Sequence, residues 1–287
     1  MIQTPIIWNI TNRCPYNCSF CCLDANSSVQ DASLEDKLKI VENLDSPPIR
    51  IDFSGGEPLL EEENLIVLKK LAEKFGRERI SITSTGKGLE RIDLEELRTY
   101  VIEVGFTYDF PTEPSPDRPL GFNRHNLLLA REASKKGIKT LAQTPLIKSN
   151  IDPSVIKEIY LNLRAEGINE LLLMRFSESG RGNSRRDLSL NQNKINKAVR
   201  NYRRLEQIYG SPRIKITPSI KGKVVGRILT SLNISNGGLL LSSPWSYDSV
   251  GRPKERYVLG DLTKDKLSYL AGAKVYQRFL TQLRRNI

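Results

Sequence analysis

The sequence is poor in the residues that usually hold metals or form disulfides. Its 287 residues include one histidine, His125, and four cysteines, which all fall between positions 14 and 22. Cysteines crowded into one short segment exclude the disulfide framework of a secreted domain and favour a metal site in a reducing compartment. No apolar run of about 18 residues is present, and residues 1–14 lack the layout of a secretion signal. A cytoplasmic protein without membrane contact is therefore expected.

Acidic residues are scarce in the last part of the chain. Residues 175–287 carry 23 basic and 7 acidic side chains, a net charge of +16, whereas residues 1–100 carry 12 basic and 17 acidic ones. The positive electrostatic potential of this region favours an acidic partner: an acidic peptide, a nucleotide or nucleic acid. A merely solvated basic surface is the alternative.

Short apolar runs rich in β-branched residues alternate with helical patterns, which predicts βαβ units around a parallel sheet. Six strands are expected, at Ile6–Ile10, Ile49–Phe53, Ile80–Thr83, Val101–Tyr108, Thr140–Pro145 and Glu170–Phe176. The expected helices are Leu34–Asn43, Glu62–Phe75, Leu89–Leu97, Asn123–Lys136, Pro153–Glu166 and Asn191–Tyr209.

From Ser211 the apolar runs become shorter. Strands are expected at Ile214–Ile216, Gly238–Leu241 and Tyr257–Leu259, with one helix between the first two and a last helix at Lys264–Leu283. About 75 residues with few large apolar side chains make a marginal core. We therefore expect a domain over residues 1–210 and a small α+β extension over residues 211–287.

The strongest local signal is the loop Cys14-Pro-Tyr-Asn-Cys18-Ser-Phe-Cys21, directly after the first strand. Three thiolates on one short loop can cap three irons of a cubane cluster and leave the fourth iron without a protein ligand. A structural zinc site would need a fourth cysteine or histidine. The remaining candidates are the adjacent Cys22 and the distant His125.

A second motif, Ser54-Gly55-Gly56-Glu57-Pro58, closes the second strand. Paired glycines let the backbone approach a ligand without a Cβ clash, and a carboxylate can accept a hydrogen bond from an ammonium group.

Together, the three-cysteine loop and the Gly-Gly-Glu-Pro segment resemble the signature of the radical S-adenosylmethionine (SAM) superfamily, over roughly residues 5–182. The resemblance implies an α/β fold, a TIM-like partial (β/α)6 barrel with its site at the C-terminal ends of the strands and a small C-terminal cap. It also implies an enzyme with one [4Fe-4S] cluster, reduced by an external donor such as flavodoxin or ferredoxin. The reduced cluster cleaves SAM to a 5′-deoxyadenosyl radical, which abstracts a substrate hydrogen.

The resemblance also assigns roles to residues. It gives the cluster to Cys14, Cys18 and Cys21, and the SAM amino group to Gly55, Gly56 and Glu57. The residues expected near the SAM ribose or the substrate lie on later strands or directly after them: Ser84, Thr107, Asp109, Gln143 and Arg175.

Two side chains, those of Arg175 and Cys22, have alternative explanations. Arg175 either pairs with the SAM carboxylate or forms a surface salt bridge. Cys22 either donates a hydrogen atom to a substrate radical or is a small buried residue beside the loop.

The turn Gly180-Arg181-Gly182 and the segment Val258-Leu-Gly-Asp-Leu resemble parts of relatives with a cysteine-rich SPASM extension, yet no cysteine follows Cys22. A scaffold without auxiliary clusters is therefore expected. The favoured substrate is a ribosomally made peptide with an acidic leader. Three alternatives stay open: a nucleotide or other phosphorylated small molecule, RNA modification, and a non-catalytic SAM or cluster sensor.

Overall fold

The computed structural model describes residues 4–26, 31–115, 117–221, 231–242, 247–274, 276–278 and 281. Within these residues, no helix is both long enough and apolar enough to span a membrane.

Six parallel strands, each followed by a helix, form the centre of one ten-stranded sheet. The strands are β1 (Ile6–Thr11), β2 (Ile51–Gly55), β3 (Ile80–Ser84), β4 (Glu103–Thr107), β5 (Lys139–Leu146) and β6 (Glu170–Arg175). The helices are α1 (Leu34–Asn43), α2 (Glu62–Phe75), α3 (Leu94–Leu97), α4 (Phe122–Lys135), α5 (Pro153–Ala165) and α6 (Gln192–Tyr209). The architecture is thus the α/β arrangement that the alternating pattern predicts.

Along each strand, side chains that pack in the core alternate with side chains that face the cavity. In β1, Ile6 and Trp8 are almost fully buried against the helices, whereas Ile7 and Asn9 line a cavity. Successive side chains of a strand point to opposite faces, so one strand serves both surfaces. Side-chain caps fix several helix starts; Asp152, for example, accepts a hydrogen bond from the Ser154 amide at the start of α5.

The chain after residue 210 adds strands at both edges of this sheet. Strand β7 (Arg213–Ile216) lies beside β6, and β8 (Leu232–Ile234) lies beside β1, both in parallel. Two antiparallel strands follow, β9 (Leu239–Leu241) and β10 (Val258–Asp261), and then helix α7 (Leu267–Gly272). The expected domain boundary near residue 210 stays a prediction.

Alternating charges fill the amino-terminal ends of the strands. Glu103, which is 2% exposed, pairs with Arg50 and, at 3.2 Å, with Lys139. Glu170 pairs with the same Lys139 at 3.0 Å and with Lys215. These ion pairs link neighbouring strands at the end of the sheet opposite the cavity described below.

The structure corrects parts of the sequence prediction. The helix expected over Leu89–Leu97 is split, because Asp93 caps a new start and leaves a 3₁₀ turn at Leu89–Arg91. Strand β8 was not predicted. Residues 222–230, part of the stretch between Ile216 and Gly238 where one helix was expected, lie outside the described residues, as do residues 275, 279, 280, 282 and 283 of the last expected helix.

Candidate active site

The cysteine loop folds back on itself directly after β1. The Cys14 amide donates to the Asn26 carbonyl at 3.2 Å, and the Cys21 amide donates to the Cys18 carbonyl at 3.3 Å. All four thiols, including that of Cys22, are free, and all four residues line one cavity. The loop therefore places all four cysteines along one cavity.

Arg181, from the turn after β6, holds this loop in place. Its guanidinium donates to the Cys18 carbonyl at 2.9 Å, to the Asp24 carboxylate at 2.8 Å and to the Ala25 carbonyl at 2.8 Å. The preceding Gly180 lies so close that a Cβ atom there would be 2.6 Å from the Cys21 carbonyl oxygen. The Gly-Arg-Gly turn thus clamps the cysteine loop.

Gly55 and Gly56 bring the end of β2 against the same loop. A Cβ atom on Gly55 would lie 2.3 Å from the Thr11 carbonyl oxygen, and one on Gly56 would lie 2.2 Å from that of Arg13. The Gly56 amide donates to Thr11 at 2.8 Å. Both glycines are therefore needed for the packing of the chain itself, in addition to their expected contact with a ligand.

The Glu57 carboxylate is hydrogen-bonded to residues of the cavity wall but does not itself line the cavity. It is fully buried and accepts hydrogen bonds from the Ser84 hydroxyl at 2.9 Å and from the Thr85 amide at 2.7 Å. Burial raises its pKa, although the hydrogen bonds from Thr85 and Ser84 oppose the shift. Glu57 is absent from the cavity wall. In this structure it ties the loop after β3 to the glycine segment, and a direct contact with SAM stays a prediction.

Asp109 also lies behind the cavity wall, where it anchors Arg118. The Arg118 guanidinium donates to the Asp109 carboxylate at 2.7 and 2.9 Å, and the two side chains are 9% and 2% exposed. Arg118 itself lines the cavity and stacks 4.1 Å above the Phe20 ring, inside the cysteine loop. Burial raises the pKa of the Cys18 thiol, and the nearby Arg118 charge partly offsets that shift.

The cavity has a volume of about 400 Å³ and lies at the carboxyl ends of the strands. Of the remaining predicted residues, Ser84, Thr107, Gln143 and Arg175 line it. Arg175 forms no ion pair with a described carboxylate; it donates to the Ser219 carbonyl at 3.0 Å and to Gln192. The surface salt bridge considered for Arg175 is therefore absent among the described residues.

A polar network that the motifs did not indicate lies on the cavity wall. Asp52 accepts hydrogen bonds from the hydroxyls of Thr83 at 3.0 Å and Ser81 at 3.2 Å, and Gln143 donates to Thr83 at 3.2 Å. Gly105 leaves room for this contact, because a Cβ atom there would lie 2.9 Å from the Gln143 amide nitrogen. Burial raises the pKa of Asp52 to about 6, against the hydrogen bonds from Thr83 and Ser81.

Comparison with known families identifies this site. The family model described as the Radical SAM superfamily matches residues 8–155, which include the cysteine loop and both glycines. The chain belongs to the radical SAM superfamily. It is therefore an enzyme of a family that uses a [4Fe-4S] cluster and SAM.

Two curated relatives match parts of this radical SAM chain. It is 36% identical over 189 residues to the S-adenosylmethionine-dependent nucleotide dehydratase of Fibrobacter sp. (strain UWH6), covering 62% of this chain and 53% of that enzyme. It is 39% identical over 98 residues to the 7,8-dihydro-6-hydroxymethylpterin dimethyltransferase of Methanocaldococcus jannaschii, covering 32% of this chain and 19% of that enzyme. The chain thus spans at most about half the length of these relatives.

Solved structures share the fold at low sequence identity. Streptococcus suis SuiB bound to precursor peptide SuiA superposes with a TM-score of 0.77 at 13% identity, over 96% of this chain and 66% of SuiB. The enzyme anSMEcpe with bound AdoMet and a peptide gives 0.69 at 15% identity, over 99% of this chain and 84% of that one. These likenesses confirm the TIM-like α/β fold class.

The donor set fits the family's cluster better than it fits a single ion. Cys14, Cys18 and Cys21 line one cavity. Among the described residues, no three Cys, His, Asp or Glu side chains converge to hold one metal ion. A cubane cluster instead offers a separate iron to each thiolate.

Proposed function

We propose that Cys14, Cys18 and Cys21 hold a single [4Fe-4S] cluster and that SAM binds in the adjoining cavity, along Gly55 and Gly56. When bound, this pair supplies a 5′-deoxyadenosyl radical that abstracts a hydrogen atom from the substrate. The observation that supports this proposal is that the three cysteines and the glycine segment line one cavity at the carboxyl ends of parallel strands. Cys22 lines the same cavity and is not needed as a ligand in this scheme.

The protein's own residues hold and shield the reactants. Arg181 and the glycine packing fix the cysteine loop, and Arg118 covers the side of that loop formed by Phe20. We assign the polar parts of SAM to Ser84, Thr107 and Gln143, and its carboxylate to Arg175, because these side chains line the cavity. Glu57 and Asp109 act through their neighbours, since neither lines the cavity.

Iron content tests the ligand assignment. After anaerobic reconstitution with iron and sulfide, we expect about four irons per wild-type chain, as a cubane cluster requires. Cys14→Ala, Cys18→Ala and Cys21→Ala should each lose most of this iron. Cys22→Ala is the matched control, because it removes the adjacent thiol and should retain the iron. Equal losses in all four variants would contradict the three-ligand assignment.

For the substrate, we propose a peptide with acidic residues. Two structures of the same fold, SuiB and anSMEcpe, contain a bound peptide, and their likeness extends over nearly this whole chain. The net charge of +16 in residues 175–287 suits an acidic partner and opposes a basic one. An acidic one-electron donor such as flavodoxin or ferredoxin fits the same charge. Mass spectrometry of candidate peptides after turnover in deuterated and ordinary buffer would reveal the modification.

A nucleotide is the second candidate substrate. The relative that is 36% identical over 189 residues is a nucleotide dehydratase, and it matches far more closely in sequence than the peptide-bound structures do. Incubation with a panel of nucleoside triphosphates separates the two substrates. A SAM-dependent new nucleotide product would favour the second candidate, whereas a mass change confined to peptides would favour the first.

A further inference from the structure

A second cavity, of about 410 Å³, lies beside the first. Its wall comes from the end of β6, the segment leading into α6 and the turn before β10. Arg175, Phe176 and Ser177 line both cavities. A ligand in the second cavity therefore lies against the wall of the radical site, and the volume is in the range of small-molecule pockets.

Unmatched positive charge distinguishes the second cavity. Lys254 and Arg256 line it, and neither of them pairs with a carboxylate of the described residues. Arg256 instead lies 4.9 Å over the Tyr257 ring. Glu178 is the carboxylate in the described part of this wall, and its charge is already paired. It accepts a hydrogen bond from the Ser189 hydroxyl at 2.7 Å and forms an ion pair with Arg186 at 3.6 Å.

We propose that the second cavity binds an oxyanion of the substrate, either a phosphate or a carboxylate, while the reacting part of the same molecule lies in the first cavity. An arginine fork can hold two oxygens of such a group, and a lysine adds a point charge beside it. The placement of the substrate's reacting part in the first cavity rests on the proposed function. The anion site in the second cavity does not require the radical chemistry.

The two sources of the oxyanion correspond to the two candidate substrates. A phosphate would come from a nucleotide, and a carboxylate would come from an acidic side chain of a peptide. Lys254 and Arg256 serve either group, so the cavity predicts the charge of the substrate and leaves its source to experiment.

Calorimetric titration of the reconstituted full chain, saturated with SAM, tests this site. The probes are inorganic pyrophosphate for the phosphate source and hexaglutamate for the carboxylate source. We expect the Lys254→Ala/Arg256→Ala variant to bind the preferred probe at least about tenfold more weakly than the wild type, since each lost contact is a charge-assisted hydrogen bond. The control, Arg204→Ala/Lys266→Ala, removes two exposed cations elsewhere and should change the Kd less than about twofold.

Preference for pyrophosphate would support the phosphate source, and preference for hexaglutamate would support the carboxylate source. The inference is overturned if neither probe binds the wild type below about 1 mM, or if both double variants weaken binding equally. Formation of 5′-deoxyadenosine after reduction of the same samples with dithionite separates the two proposals. SAM cleavage without anion binding refutes only the second cavity, and anion binding without SAM cleavage refutes only the radical function.

Discussion

Removing the Arg118 guanidinium should destabilise the protein strongly, because it would leave a buried charge without its partner. Arg118→Met keeps an unbranched apolar side chain of similar length over the Phe20 and Phe122 rings, which lie 4.1 and 4.9 Å from the guanidinium. It leaves the Asp109 carboxylate, which is 2% exposed, without its two charge-assisted hydrogen bonds. Breaking a buried ion pair in this way typically costs about 3–5 kcal/mol.

Urea unfolding of the reduced, cluster-free full chain measures this loss. Asp109→Leu/Arg118→Met replaces both charges by apolar groups, which is often nearly neutral, so the double variant should recover most of the free energy of unfolding. Lys87→Met is the control, because the Lys87–Glu90 pair is 39% and 42% exposed and should contribute at most about 1 kcal/mol. A loss below about 1 kcal/mol for Arg118→Met, or a double variant equal to the sum of its single variants, would refute the buried pair.

Three further predictions concern residues in or next to the cavity wall. Gly56→Ala should lose most of its reconstituted iron, because the new Cβ would lie 2.2 Å from the Arg13 carbonyl oxygen, whereas Gly237→Ala, with open space around it, should retain the iron. Glu57→Gln should weaken SAM binding at least about tenfold in equilibrium dialysis while the iron content is unchanged. The glutamine amide would place an N–H donor opposite the Ser84 hydroxyl and the Thr85 amide, which both donate to the Glu57 carboxylate. Unchanged SAM binding would show that this loop does not shape the SAM site. The pKa of Asp52 is raised from 3.8 to about 6. The wild type should therefore lose stability relative to Asp52→Asn as the pH rises from about 4 to about 6, by on the order of 2–3 kcal/mol between pH 4 and pH 8 in urea unfolding. A pH-independent difference would contradict the raised pKa of this carboxyl group.

The features that the sequence predicts well are those whose signal is local. The cysteine spacing and the Gly55–Gly56 pair are contiguous motifs, and their order after β1 and β2 brings them to one end of a parallel sheet. Strand and helix alternation likewise predicts all six βα units, because the two periodicities differ clearly. Strand β8 escaped prediction since its run, Leu232–Ile234, has three residues and no periodic pattern to detect.

The features that the sequence does not predict depend on long-range register. Arg118 lies in a loop without periodicity, and no local signal links it to Asp109 or to the cysteine loop. The direction of the Glu57 carboxylate depends on Ser84 and Thr85, 27 and 28 positions away. Asp52 was identifiable in principle, because it lies two residues before Ser54 and so on the same face of β2.

Formation of 5′-deoxyadenosine is the measurement that tests the central claim most directly. Wild type, Cys18→Ala and Cys22→Ala would be reconstituted anaerobically, reduced with dithionite and incubated with SAM and candidate substrates. We expect 5′-deoxyadenosine from the wild type and from Cys22→Ala, and none above background from Cys18→Ala. A wild-type protein that binds about four irons yet forms no 5′-deoxyadenosine under any of these conditions would contradict the claim and favour a SAM or cluster sensor.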